Sequence, residues 1–182
     1  MGLLGSGVLL WSLAHLMKRV APVLRSRLGS AGRPLVAASI VLSVVLMILG
    51  YQSAEGPVWW ARQSALVGIS NLLVFVSFYI IAGSIIGARI SRFIRHPQLT
   101  AIKLWAVAHL LVNGDLASMT LFGGLLIWAV LAVILINRQE EPPVLEQGPI
   151  AWALEVGALS AAIVIYGLVG YVHGWLGYPV HG

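Results

Sequence analysis

Apolar residues run along the chain in six blocks, at about residues 2–17, 35–51, 65–88, 99–113, 116–136 and 150–173, separated by short polar stretches. Each block predicts a helix, and a helix that crosses a membrane needs about 20 residues, with a range of roughly 17–25. The first and fourth blocks are short by that measure. The first helix is expected to run on toward Pro22, with Lys18 and Arg19 snorkelling their charges to the interface. In the fourth, Lys103 leaves only Leu104 to Val112 free of charge. Alone it would read as re-entrant, but in a bundle it reads as spanning.

The connections are short. Gly114-Asp115 between the fourth and fifth blocks makes those helices an antiparallel hairpin, and no soluble domain interrupts the chain, so one transmembrane domain covers residues 1–182. The longest hydrophilic stretch, 137–149, carries Glu140, Glu141 and Glu146 and reads as a solvated linker. Gly83-x-x-x-Gly87 and Gly170-x-x-x-Gly174 would let helices approach closely, although glycine is common enough here for such spacings to arise by chance.

Composition agrees with this pattern. The chain is 59% hydrophobic and 9% charged, with a mean hydropathy of +0.94, whereas soluble domains are roughly a quarter charged. An all-α integral membrane helix bundle follows, with the lipid bilayer as its first partner. The net charge of +5 does not imply a nucleic-acid partner, because the basic residues sit between apolar spans. Lys18, Arg19, Arg25, Arg27, Arg33, Arg89, Arg92, Arg95, Lys103 and Arg138 fall on one side and only Arg62 on the other. The first group is therefore expected in the cytoplasm and both termini outside. Trp59, Trp60, Tyr171, Trp175 and Tyr178 then fall at the outer interface, where aromatic belts lie. Because its basic cluster follows the first apolar block, that block reads as a retained span and not as a cleaved signal. The absence of cysteine excludes disulfides, thiolate nucleophiles and iron–sulfur clusters.

Charge and polarity are costly inside the bilayer, so the few polar groups within spans carry the candidate chemistry. His15 lies about 20 Å from the outer start of its helix and His109 about 18 Å from the cytoplasmic start of its own. Both are near mid-membrane, and each reads either as a neutral imidazole hydrogen-bonded within the bundle or as a metal ligand. Two axial ligands of one haem need ring nitrogens about 4 Å apart; helix tilt could absorb the difference in depth. Lys103 and Glu155 each lie about 9 Å deep from the cytoplasmic side and suggest a salt bridge between the fourth and sixth helices. His96, just before Pro97, reads as an interfacial cap or a headgroup contact with Arg92 and Arg95. Asn113-Gly114-Asp115 reads as a turn, with Asp115 capping the helix that begins at Leu116. Asn71 is expected to hydrogen-bond between helices, and His173 and His181 to be structural. No hydrolase triad, phosphate loop or HExxH helix is present.

The stretch Arg95-His96-Pro97, Lys103-Leu104-Trp105-Ala106, Ala108-His109-Leu110-Leu111 and Asn113-Gly114-Asp115-Leu116-Ala117-Ser118, followed by Leu121-Phe122-Gly123, resembles the signature of the NnrU family of bacterial membrane proteins. Ala14-His15 and the terminal Val172-His173-Gly174-Trp175 and Gly177-Tyr178-Pro179-Val180 extend the resemblance over nearly the whole chain. It implies a multi-pass protein of the bacterial inner membrane, linked to nitrite and nitric oxide metabolism in denitrification. The related ζ-carotene isomerases hold haem b through histidines. Carried over by position, His15 and His109 would be the axial ligands. In those isomerases a cysteine stands three residues before the second histidine, where this chain has Ala106.

Three functions compete: a haem b protein of redox or nitric-oxide-related chemistry, an intramembrane isomerase of a lipophilic polyene, and a non-enzymatic accessory subunit of a membrane complex or homo-oligomer. Transport is disfavoured by the scarcity of polar groups within the spans.

Overall fold

The computed structural model describes residues 1–142, 149 and 151–180. Among them six long helices form: α1 (Gly2–Val20), α2 (Gly32–Gln52), α3 (Ser64–Ile86), α4 (Pro97–Val112), α5 (Leu116–Gln139) and α6 (Trp152–Trp175). No strand is present among the described residues; a single antiparallel bridge joins Val58 to Asp115. The apolar blocks therefore fold as the pattern predicts, with ends shifted by a few residues.

Local chemistry sets several of those ends. Pro97 opens α4 at a position that needs no backbone N–H, and Gly87 closes α3 in the left-handed region at φ 78°. Asp115 caps α5 as expected, its carboxylate accepting the Ser118 N–H at 2.8 Å. The first helix stops at Val20, short of Pro22, and a separate short helix follows at Pro22–Arg27. Another short helix at Ile90–Phe93 and a π-turn at Met119–Gly123 within α5 have no counterpart in the apolar pattern.

Neighbouring helices lie in the order α2, α1, α5, α4, α3, α6. Buried positions are mostly small: Ala101, Ala106, Ala108, Ala129, Ala158 and Ala162 have no exposure, while Leu9, Leu13, Val41 and Ile163 are exposed. That inversion of soluble-protein logic is the packing rule of a bilayer, in which large apolar groups face lipid and small ones let backbones meet. Ser70 and Ser77 of α3 donate to the carbonyls of Ala108 and Ala101 of α4, each at 2.8 Å. Both partners repeat every seven residues in opposite directions, so the two bonds fasten one antiparallel seam.

Four helical segments, Gly29–Gln52, Ser64–Ile86, Leu116–Gln139 and Trp152–Trp175, are long and apolar enough to cross a membrane. The protein is thus a multi-pass membrane protein. Helices α1 and α4, which carry Lys18, Arg19 and Lys103, fall below that standard.

The expected Lys103–Glu155 bridge is not formed. Helix α3 stands between α4 and α6, and the Glu155 carboxylate accepts instead from the Tyr79 hydroxyl at 2.9 Å and from the Arg89 backbone N–H. The ion pair found among the described residues joins Arg19 to Glu140 at 2.6 Å, giving the linker's first acid a structural role. Glu146 and His181 lie outside the described residues.

Candidate functional site

At the end of the bundle that carries the α2–α3 and α4–α5 connections, five helices line a partly open cavity of about 440 Å³. Tyr51 of α2, Asn71 and Phe78 of α3, Trp105 and His109 of α4, Phe122 of α5, and Tyr166 and His173 of α6 contribute to its wall. Helix α1 contributes nothing to it.

His109 sits in the last turn of α4. Its Nδ1 lies 2.9 Å from the Trp105 carbonyl, which as an acceptor fixes the proton on Nδ1. The Nε2 lone pair remains, with no hydrogen bond from the described residues. The ring stacks on Phe122 at 4.4 Å between centroids and 26° between planes, and Trp105 meets Phe122 edge-on at 5.0 Å. The π-turn puts an extra residue into the helix at Met119–Gly123 and so redirects Phe122; such turns are frequent at functional sites.

His173, expected to be a structural residue at the end of its helix, is on the cavity wall. Its Nδ1 lies 2.9 Å from the Val169 carbonyl, the same arrangement as in His109. The signal for it was in the spacing: Tyr166, Val169, Gly170 and His173 follow the i, i+3, i+4, i+7 pattern of a single helix face.

His15 occupies a separate niche. Its ring lies 4.1 Å from Trp11 and 5.0 Å from Trp128 between centroids, with Nδ1 2.9 Å from the Trp11 carbonyl. The buried indole N–H groups of Trp11 and Trp128 have no hydrogen-bond partner among the described residues. His109 touches α5 at Phe122 and His15 touches it at Trp128, positions separated by about 9 Å of helix rise. The structure therefore brings His109 together with His173 and keeps His15 in its own aromatic niche.

The remaining polar groups close the ends of the bundle. Asn113 donates to the His109 carbonyl at 2.9 Å. The Ser118 hydroxyl donates to Asp115 at 2.7 Å and is 2.8 Å from the Tyr51 hydroxyl, which must then be the donor of that pair. A chain of hydrogen bonds thus runs from the cavity wall through Ser118 to Asp115. Trp60 packs on Gly114 and donates to the Leu110 carbonyl at 3.1 Å. Arg62 donates to the Pro179 and Val180 carbonyls at 2.8 and 3.0 Å, and Asn71 to Val180 at 3.1 Å, strapping the C-terminal segment over the cavity. Asn71 thereby serves the strap and not a second helix. At the opposite end, His96 is 2.7 Å from Asn137 through Nε2. Lys103 makes no polar contact among the described residues.

No group of three or more His, Asp or Glu side chains suited to a metal ion occurs among the described residues. The donor set is instead a pair of imidazoles between aromatic walls. The cavity falls in the roughly 300–1,000 Å³ range of cofactor sites, and a ring nitrogen freed by an Nδ1–H bond to a carbonyl is the usual state of a metal-ligating histidine. These residues fit a haem. Ala106 is fully buried and absent from the lining, so nothing at that position can serve as an alternative ligand.

The family model described as NnrU protein matches residues 3–180. No curated protein and no solved structure matches the chain.

Proposed function

The chain belongs to the NnrU protein family, and from that premise we propose that it is a haem b protein of the bacterial inner membrane, serving nitrite or nitric oxide metabolism. The observation that carries this reading is His109, whose anchored ring offers an unpaired Nε2 to a cavity of suitable size. All six long helices span in this reading, with the basic loops in the cytoplasm and both termini outside. The packing of α1 and α4 against α2, α3 and α5 supports a crossing by these two helices.

Bound haem supplies one-electron chemistry at iron. His109, its ring fixed by the Trp105 carbonyl, would hold the group, Trp105 and Phe122 would provide apolar walls, and the strap held by Arg62 and Asn71 would limit the access of water. A ligand-switching isomerase mechanism finds no support, because alanine stands where the isomerases carry cysteine. Purified protein is expected to show a Soret band. His109→Ala removes that band while His181→Ala leaves it, and a wild type lacking the band after haem supplementation would sink the proposal.

A further inference from the structure

Resting on the haem reading, we propose that His173, and not His15, supplies the second imidazole of the His109 site, so that the metal-centred ligand is held between α4 and α6.

Position is the first reason. His109 and His173 line the same cavity, to which α1 and its His15 contribute nothing. The second reason is preparation: both rings bind a carbonyl one turn back through Nδ1 at 2.9 Å, which fixes the tautomer and leaves each Nε2 available to a metal. His15 has the same anchor, so the distinction rests on surroundings. Its ring packs against two indoles, themselves in edge contact, whose buried N–H groups have no acceptor among the described residues, a setting that suits a hydrogen-bond acceptor better than a metal. Depth is the third. The contacts of His15 and His109 on α5 are about 9 Å apart along its axis, against the about 4 Å that separates two axial nitrogens on one iron. The end of α6 is also held in place. Tyr178 donates to the His173 carbonyl at 2.8 Å across a turn at Gly177, φ 85°, and Arg62 fixes the two residues that follow.

The test compares ferric and ferrous visible spectra and low-temperature electron paramagnetic resonance of the full chain, purified with haem supplied, with those of His15→Ala, His173→Ala and His173→Met. Wild type and His15→Ala are expected to be low-spin with two imidazoles. His173→Ala should turn high-spin with one imidazole and return to low-spin when free imidazole is added, a rescue that misfolded protein would not give. His173→Met should show a mixed imidazole–thioether signature. The pairing is overturned if His173→Ala keeps the two-imidazole signature, if His15→Ala loses it, or if the wild type carries one imidazole only. A wild type with no haem absorption overturns the haem reading itself and the pairing with it.

Discussion

Ser118 shows how much one small side chain can decide. It has no exposure, and its hydroxyl lies between Tyr51 and Asp115 while its N–H meets the Asp115 cap. Ser118→Ala would leave the Tyr51 hydroxyl without its acceptor and the carboxylate without one donor. A destabilisation of about 1–3 kcal/mol is expected, measured by unfolding in detergent; an unchanged midpoint would mean that water replaces the hydroxyl. Asp115 was legible as a cap because N-capping depends on residues three apart. Lys103 and Glu155 misled because equal depth says nothing about whether two helices are neighbours. His173 was passed over because a histidine at a helix end has an ordinary structural reading; only the face it shares with Tyr166 and Gly170 placed it on a cavity.

Among elements, α1 and α2 meet backbone to backbone at two glycines. A Cβ on Gly50 would collide with the backbone of Leu4, and one on Gly7 with the backbone of Met47 and Ser43. Such contacts allow dispersion forces to hold two helices whose outer faces are lipid-like. Gly50→Leu is expected to cost about 1–3 kcal/mol through overpacking. Gly68→Ala, with nothing within 4 Å, should be neutral or stabilising by up to about 1 kcal/mol. Similar unfolding midpoints for the two variants would contradict this packing. The small-residue spacings singled out in the sequence were at Gly83 and Gly170, whereas the Gly7 and Gly50 contacts needed the register of two helices.

At the scale of the whole molecule, two groups of polar contacts mark opposite ends. Arg19, Asn137, Gln139, Glu140 and His96 meet at one, and Trp60, Arg62, Asn71, Asp115 and Val180 at the other. In this cysteine-free chain, single cysteines can report the sides directly. Membrane-impermeant maleimide applied outside should label Gly2→Cys and Ser53→Cys but not Ser26→Cys or Glu141→Cys. Labelling at Glu141→Cys would mean that α4 does not cross. The Arg19–Glu140 pair ties α1 to the end of α5 and makes stability depend on pH. The Arg19 guanidinium, hydrogen-bonded to Glu140, holds that carboxyl below the ordinary glutamate value. A carboxyl more acidic in the folded than in the unfolded chain stabilises the fold above its ordinary pKa, and that contribution fades as pH falls through the lowered value. The melting-temperature gap between wild type and Glu140→Gln should therefore be present at neutral pH and close in acid. A gap unchanged by acid would assign the effect to something other than ionisation.

The helical character of the apolar blocks, their approximate ends, the Asp115 cap and the family signature were readable in order along the chain, because hydrophobic partition and helix capping act through residues near one another. The row α2, α1, α5, α4, α3, α6 was not, since lipid-facing and buried apolar residues have similar hydropathy and do not announce their neighbours. That order separates Lys103 from Glu155, leaves His15 among indoles and gives His109 a cavity shared with His173. Sequence determined which polar groups enter the bundle; packing decided which of them meet.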